Sequence, residues 1–148
     1  MNADEILNGL NALRGPKRVV ITGGEPTLQL DRSLLSTLRQ NGYEIHLETN
    51  GSRPMGELLS LVDHVTMSPK QSLTETKLER CDDLKILFPL SSPVVTPETF
   101  KSFPAKQKFL QPVMDNAYTS NLRETVMWIY RNPEWRLSLQ THKILGVE

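Results

Sequence analysis

The residues best suited to chemistry form the stretch Thr22–Pro26, Thr-Gly-Gly-Glu-Pro, which follows three β-branched residues at 19–21. Two consecutive glycines permit a sharp turn and let a ligand approach main-chain atoms without meeting a Cβ atom. Pro26 lacks an N–H group and has a fixed φ, so neighbouring carbonyls are less available to a helix or a strand ladder. Carbonyls beside the Glu25 carboxylate would accept hydrogen bonds from a cation, such as a ligand's ammonium group. The alternative interpretation is an ordinary strand-to-helix turn.

Four further polar clusters follow apolar segments. They are Glu48-Thr49-Asn50-Gly51, Ser68-Pro69-Lys70, Gln111-Pro112-Val113-Met114 and Gln140-Thr141-His142-Lys143. As functional groups, Glu48 would accept hydrogen bonds from hydroxyl or amine donors, and Ser68 and Lys70 would donate to a carboxylate or a ribose. His142 would bind a ligand or handle a proton. The structural alternatives are a turn, an exposed loop, a strand end and a histidine whose hydrogen bonds are satisfied within the chain.

The elements that must position these clusters follow from hydrophobic periodicity and turn residues. Strands are predicted at 19–21 (buried on both faces), 44–48, 65–67, 84–88, 108–110 and 136–139, with a loop at 89–97. Helical segments are predicted after Asn2 and Asp31 and at 55–61, 73–80, 98–103 and 119–131, the last with Leu122, Val126 and Ile129 inward. Alternating strands and helices indicate an α/β protein with a mostly parallel sheet, in which ligands bind outside the carboxyl ends of the strands. All five polar clusters would then share one rim.

Composition limits the classes of function. The 148 residues are enough for one domain, spanning 1–148, and the 17 basic and 17 acidic residues give no excess charge that would favour nucleic acid. No apolar run is long enough to cross a membrane, and the first residues lack signal-peptide features, so a cytoplasmic location is expected. The single cysteine, Cys81, excludes an internal disulfide and a cluster ligated only by this chain's thiolates. Cys81, His46 and His64 are interpreted as structural.

The five clusters, taken in this order and at these separations, resemble the 7-carboxy-7-deazaguanine synthase family of radical S-adenosylmethionine (SAM) enzymes. Thr22–Pro26 resembles the Gly-Gly-Glu-Pro motif of radical SAM enzymes, and the closing Gln-Thr-His-Lys at 140–143 is the most family-specific part. The resemblance covers nearly the whole chain. It implies a partial (βα) barrel of the radical-SAM type, with about six mostly parallel strands and with the first strand and the cluster loop missing.

The resemblance also implies an activity. Family members cleave SAM at a [4Fe-4S] cluster, and the resulting radical takes a hydrogen atom from 6-carboxy-5,6,7,8-tetrahydropterin. The ring then contracts and ammonia leaves, with assistance from Mg²⁺. The product is 7-carboxy-7-deazaguanine, a precursor in the biosynthesis of queuosine and other 7-deazapurines. The family is therefore a carbon–nitrogen lyase family with a small pterin as substrate, and neither nucleic acid nor a membrane is an expected partner.

Site residues are carried over from the family motifs position by position. The turn Gly23-Gly24-Glu25 would hold the methionine end of SAM, and Glu48 and Asn50 would face SAM or the substrate. The ribose and adenine of SAM would contact Ser68, Pro69, Lys70, Gln111, Pro112, Val113 and Met114. The pterin would contact Thr22, His142 (at its carboxylate) and main-chain groups of Glu148.

One feature of the family has no counterpart in these residues. The resemblance places the cluster cysteines, the Mg²⁺-binding residue and several substrate contacts in a segment before the first helix. This polypeptide is therefore expected to be unable to hold the cluster or start the reaction alone. It would be a fragment of a full enzyme, one half of a split enzyme with a cysteine-containing partner, or a non-catalytic SAM- or nucleotide-binding module. An unpaired sheet edge in such a chain would favour a homodimer or pairing with the partner segment.

Overall fold

A computed structural model of the chain describes residues 2–13, 15–89 and 92–147. Its strands are β1 (Arg18–Ile21), β2 (Glu44–Thr49), β3 (His64–Met67), β4 (Cys81–Phe88), β5 (Ala105–Pro112) and β6 (Trp135–Leu137). Its α-helices are α1 (Ala3–Ala12), α2 (Arg32–Gln40), α3 (Tyr118–Arg131) and α4 (Thr141–Leu145). Short 3-10 helices span Pro26–Leu28, Gly56–Leu61 and Leu73–Glu75. In the part of the chain that is described, no helix has the length and apolar character needed to cross a membrane.

The six strands form one sheet in the order β1-β2-β3-β4-β5-β6, and every neighbouring pair is parallel. Consecutive parallel strands need crossover connections, which the helices and the longer loops supply. The strands that the structure describes do not close into a ring, since β1 and β6 remain as the two edges. The prediction of an α/β partial barrel with about six mostly parallel strands is confirmed.

Local sequence signals fix where the first two helices begin and where the second one ends. The Asn2 side chain accepts a hydrogen bond from the Glu5 N–H, and the Glu5 side chain accepts one from the Asn2 N–H, a reciprocal capping box. Asp31 caps α2 by accepting from the Leu34 N–H at 2.8 Å. Helix α2 ends before Gly42, which has a φ of 77° that favours glycine.

The two faces of the sheet differ in polarity. One face carries the hydrophobic core, which packs against α2, α3 and the connecting segments; its strand residues include Ile45, Leu47, Val65, Met67, Leu84, Ile86 and Leu110. The other face, called the polar face below, carries the alternate residues of the same strands. These are partly buried or exposed and include Glu44, His46, Glu48, His64, Thr66, Asp83, Lys85 and Phe109. Side chains of successive strand residues point to opposite faces, so one strand serves both environments.

The prediction that 19–21 is buried on both faces is wrong. Strand β1 lies at an edge of the sheet, and Val20 is 55% exposed. The register pairs Val20 with His46, which puts the valine on the polar face. A run of β-branched residues therefore indicated a strand correctly but did not reveal its position in the sheet.

Several helical predictions are also corrected. Residues 73–80 contain only the 3-10 helix Leu73–Glu75, and 98–103 form turns. Helix α3 is rotated from the expected orientation, since its buried residues are Asn121 and Thr125 whereas Val126 is 45% exposed. Asn121 donates to the Val113 carbonyl at 2.9 Å, so hydrogen bonding rather than apolar burial orients this end of the helix.

Candidate functional site at the carboxyl ends of the strands

Hydrogen bonds link the loops that follow β1, β2 and β3 at the carboxyl end of the sheet. Glu25 accepts a hydrogen bond from the Asn50 N–H at 2.7 Å, which joins the first loop to the second. The Gln71 side chain donates to the Asn50 carbonyl at 3.0 Å, and the Ser68 N–H donates to the Thr49 carbonyl at 2.8 Å. These bonds hold the first three predicted clusters in one rim.

The Glu25 carboxylate is the centre of this arrangement. Its Oε1 atom accepts hydrogen bonds from the Thr27 N–H (3.2 Å), the Thr27 hydroxyl (2.5 Å) and the Thr49 hydroxyl (2.6 Å). Burial alone would raise the pKa of Glu25, but hydrogen bonds from Thr27, Thr49 and Asn50 outweigh it and hold the pKa below the usual value. Glu25 is therefore an anion used chiefly to fix the turn within the chain.

The two glycines of the turn border a cavity of about 730 Å³ that lies between the turn and the first residues of α1 and α2. Thr22 and Pro26 of the same motif also line it. Gly23 has a φ of 130°, a conformation that L side chains rarely adopt. A Cβ atom added at Gly24 would meet no atom of the chain within 4 Å, and its φ does not require glycine. Packing within the chain does not require glycine at position 24, so the open space beside it can accept a ligand such as the amino-acid end of SAM.

Gly24→Ala should therefore leave the free energy of unfolding within about 0.5 kcal/mol of wild type, because the methyl group meets nothing and ordinary surface changes have effects of that size. The same methyl group would obstruct a ligand lying against the turn, and we expect SAM affinity to fall about tenfold. Urea denaturation and calorimetry measure the two effects. Gly51→Ala is the contrasting variant, since its Cβ would lie 2.5 Å from Met67 Sδ at a φ of 77°. It should destabilise the fold; an equally destabilised Gly24→Ala would contradict the assignment.

A second cavity, of about 580 Å³, lies outside the ends of β3 to β6. Six of the predicted site residues line it: Ser68, Pro69, Lys70, Gln111, Val113 and Met114. Lys85, Gln140 and Lys143 also line it, and these three were not among the predicted site residues. Gln140 and Lys143 are three residues apart at the start of α4, so they share a helical face. This cavity unites three clusters that are 26 or more residues apart in sequence.

The remaining predicted residues occupy different places. Glu48 lines a smaller cavity of about 240 Å³ on the polar face, which Lys85 lines as well although it was not a predicted site residue. Pro112 is buried at the end of β5. The Asn50 N–H donates to Glu25 and so connects the loops after β1 and β2. His142 is exposed on α4 and lines none of these cavities, so its assignment to the pterin carboxylate stays a prediction. Glu148 lies outside the described residues.

The polar face holds a network that the sequence interpretation missed. The His46 Nε2 atom donates a hydrogen bond to the Glu44 carboxylate at 2.8 Å, and the His64 Nε2 atom donates one to the Asp83 carboxylate at 3.1 Å, since carboxylate oxygens accept. The two imidazole rings stack with centroids 5.0 Å apart. Polar residues alternating with apolar ones along 44–49 and 64–67 are the sequence signal that would have placed both histidines on one face.

The cysteine inventory does not fit an iron–sulfur cluster. Cys81 is the only cysteine and is 3% exposed in the core at the start of β4. Burial raises the pKa of its thiol to about 12, which disfavours the thiolate that binds a metal. Within the described ranges, no three His, Cys, Asp or Glu side chains are grouped to hold a metal ion. The described residues therefore do not fit an iron–sulfur cluster or a Mg²⁺ ion held by their side chains alone.

Comparison with known proteins shows which proteins this chain is similar to in sequence. No family model matches the chain. It is 37% identical to a 7-carboxy-7-deazaguanine synthase of Bradyrhizobium diazoefficiens over 145 residues, covering 98% of this chain and 66% of that protein. It is 32% identical over 161 residues to the protein of the same name from Prochlorococcus marinus, covering 90% and 69%. It is also 38% identical to the Bordetella pertussis protein of that name, and the match covers 87% of this chain and 59% of that protein. The chain thus spans about two thirds or less of several of these relatives.

One solved structure with a similar fold is that of QueE from Escherichia coli. The match covers 95% of this chain and 64% of the QueE chain, with a TM-score of 0.63 and 22% sequence identity. At this identity the match supports the fold, and it agrees with the open, all-parallel sheet described above.

Proposed function

Because this chain belongs to the 7-carboxy-7-deazaguanine synthase family, we propose that it is the SAM- and pterin-binding part of a radical SAM lyase, folded as a single partial-barrel domain over 1–148. The substrate would be 6-carboxy-5,6,7,8-tetrahydropterin, and the product would serve queuosine or another 7-deazapurine. The observation that carries the proposal is that the Gly23-Gly24 turn and the cavity beyond Ser68 and Gln111 lie at the same end of one parallel sheet.

The residues present fit SAM. Carbonyls of the Gly23-Gly24 turn would accept hydrogen bonds from its ammonium group, and Glu25 would keep that turn in position through Thr49 and Asn50. Ser68 and Gln111 would donate to or accept from its ribose and adenine, next to the apolar Val113. When bound, SAM supplies the 5′-deoxyadenosyl group that takes a hydrogen atom from the substrate. The chain's own part is to bind and orient both molecules.

Binding can be tested with SAM and with ATP, which shares the adenine and ribose but lacks the amino-acid end. We expect calorimetry on the full chain to show SAM binding about tenfold tighter than ATP, since only SAM places an ammonium at the Gly23-Gly24 turn. Equal affinities would favour the alternative, a non-catalytic nucleotide-binding module. Absence of SAM binding would contradict the proposal itself.

Activity should require cysteines from elsewhere. We propose that these 148 residues alone do not cleave SAM, because their one thiol is buried and held protonated. Among the described strands, β1 has a neighbour on one side only, so a cysteine-containing segment could add a parallel strand at its outer edge. A second copy of the chain is the alternative occupant of this edge. After iron–sulfur reconstitution, 5′-deoxyadenosine should stay at background for the chain alone and rise when a cysteine-bearing polypeptide is supplied. Substantial product from the chain alone would overturn this proposal.

A further inference from the structure

Strand β4 carries a residue that belongs to two cavities. Lys85 lines both the second cavity, beyond the strand ends, and the smaller cavity on the polar face. Asp83, two residues earlier on the same face, lines only the smaller one. Two residues along a strand span about 6.6 Å. Lys85 therefore lies where the second cavity and the smaller cavity meet. The distance between Asp83 and Lys85 along the strand is comparable to the length of a fused bicyclic ring.

The second cavity is cationic. Its lining includes Lys70, Lys85 and Lys143 and, among the residues described, no aspartate or glutamate. None of these three ammonium groups forms an ion pair with another described residue, whereas Lys101 and Lys106 do. Three ammonium groups bordering one concave space favour an anion there.

The smaller cavity has the opposite character. It is lined by Glu48 and Asp83, together with Thr66, Phe109 and Ser138. Asp83 Oδ2 forms the hydrogen bond with His64, but Asp83 Oδ1 is buried and has no hydrogen-bond partner in the described part of the chain. A buried carboxylate oxygen without a donor is unfavourable, so this atom is an acceptor available to an N–H group.

We infer that Lys85 and Asp83 orient the substrate across this boundary, with a carboxylate of the substrate at Lys85 and Lys143 and its N–H donors at Asp83 and Glu48. The inference rests on the proposed function, because the pterin named there carries a carboxylate on one ring and N–H donors on the other. It places that carboxylate at the Lys85 and Lys143 side of the second cavity, beside the SAM ribose and adenine proposed at Ser68 and Gln111, and not at His142, which does not line the cavity. The aromatic side chain of Phe109, which pairs with Lys85 in the register, borders the same space and can contact the ring.

A purely structural role for Lys85 predicts a different experimental result. If Lys85 served only to offset the charges of Glu48 and Asp83, its replacement would change stability and would not change the choice between ligands that differ in one carboxylate. The deciding measurement is therefore discrimination between two ligands.

The test uses calorimetry on the full chain with three probes: 6-carboxypterin, pterin without the carboxylate, and inorganic phosphate. The wild-type chain should bind 6-carboxypterin about tenfold more tightly than pterin, and Lys85→Met should remove most of that preference. Lys85→Arg should retain it, since the charge is kept. Lys77→Met, which removes an exposed lysine outside both cavities, is the matched control and should behave as wild type. Asp83→Asn should weaken both pterins by a similar factor, with thermal melting used to check folding.

The outcomes separate this inference from the proposed function. An unchanged preference in a folded Lys85→Met chain overturns the role of Lys85, whichever substrate is correct. If phosphate binds in a way that depends on Lys85 and neither pterin binds, an anion site at Lys85 is supported and the pterin as its ligand is contradicted. If none of the three probes binds the wild-type chain, the inference is overturned, and SAM binding still reports on the proposed function.

Discussion

Glu25→Ala should lower the free energy of unfolding by about 3 kcal/mol and weaken SAM binding about a hundredfold. The Glu25 carboxylate accepts four hydrogen bonds from Thr27, Thr49 and Asn50. A hydrogen bond to a charged group contributes about 1.5–3 kcal/mol net, and the contributions of bonds that share one carboxylate do not simply add. Its removal would leave the Thr49 hydroxyl, within a buried residue, without that acceptor. The turn that borders the first cavity would then lose its link to β2. Urea denaturation at neutral pH and calorimetry with SAM measure the two effects.

Thr27→Val is the control for this experiment, because it removes only one donor from the same carboxylate. It should destabilise by about 1 kcal/mol and keep SAM binding close to wild type. If Glu25→Ala is as stable as wild type yet loses SAM, then Glu25 contacts the ligand directly and does not hold the rim. If neither property changes, the role given to Glu25 is wrong.

The same carboxylate adds a pH dependence with a definite sign. Hydrogen bonds hold the pKa of Glu25 in the folded chain below its usual value of 4.5, despite burial. The stabilisation is therefore present above about pH 4.5 and is lost as the pH falls through the folded pKa. The difference in unfolding free energy between wild type and Glu25→Gln should be greatest at neutral pH and should shrink on acidification below this value.

Asp82→Ala should have a comparable effect on stability, at about 3 kcal/mol, without involving the site. Asp82 is 7% exposed, and its Oδ2 atom accepts a hydrogen bond from the Val65 N–H at 2.7 Å. The paired registers of β3 and β4 begin only at Thr66, so this side chain replaces a bond that the ladder does not supply. Its loss leaves a buried main-chain N–H group unpaired, which typically costs about 1–3 kcal/mol in addition to the lost charge contact. Thermal and urea unfolding would measure the change.

Two companion variants of Asp82 separate the causes. Lys106, whose ammonium lies 2.6 Å from Asp82, has a side chain that is 72% exposed, so Lys106→Met should cost less than about 1 kcal/mol. Burial would raise the pKa of Asp82, but Lys106 and the Val65 N–H hold it below the usual 3.8. The stabilisation is thus complete above about pH 4 and is lost as the pH falls through the folded pKa; Asp82→Asn should lack this acid dependence. If the difference in unfolding free energy between wild type and Asp82→Asn stays constant from neutral pH down to about pH 3, the assignment is contradicted.

Several features of the fold could be predicted because they depend on neighbouring residues. The Asn2 capping box, the Asp31 cap and the Gly42 stop each involve groups within a few positions, so sequence alone specifies them. Parallel pairing also followed from the alternation of strands and helices. It placed the polar clusters at one end of the sheet, as Ser68 and Gln111 in one cavity demonstrate for residues that are distant in sequence.

Other features depended on where each element lies in the sheet. The apolar run at 19–21 suits a central or an edge strand equally well, and only the pairing shows that Val20 faces outward. In α3, apolar spacing pointed to Val126, but hydrogen bonds of Asn121 and Thr125 with the loop and the strand end set a different inward face. Lys85 lies in no predicted cluster, whereas Lys143 closes the Gln-Thr-His-Lys cluster. Only the folding of β4 and α4 around the strand ends brings the two lysines to one cavity.

By itself, then, the sequence determined the six strands, the helices α1, α2 and α3, the parallel α/β arrangement and the diglycine turn, because these follow from conformational preferences and hydrogen bonds between close neighbours. Only the tertiary structure decided that Glu25 is bonded within the chain, that the two histidines stack, and that an anionic and a cationic cavity meet at Lys85. The reason is physical: side-chain orientation and charge environment depend on strand register and on contacts between distant segments, which local preferences do not specify.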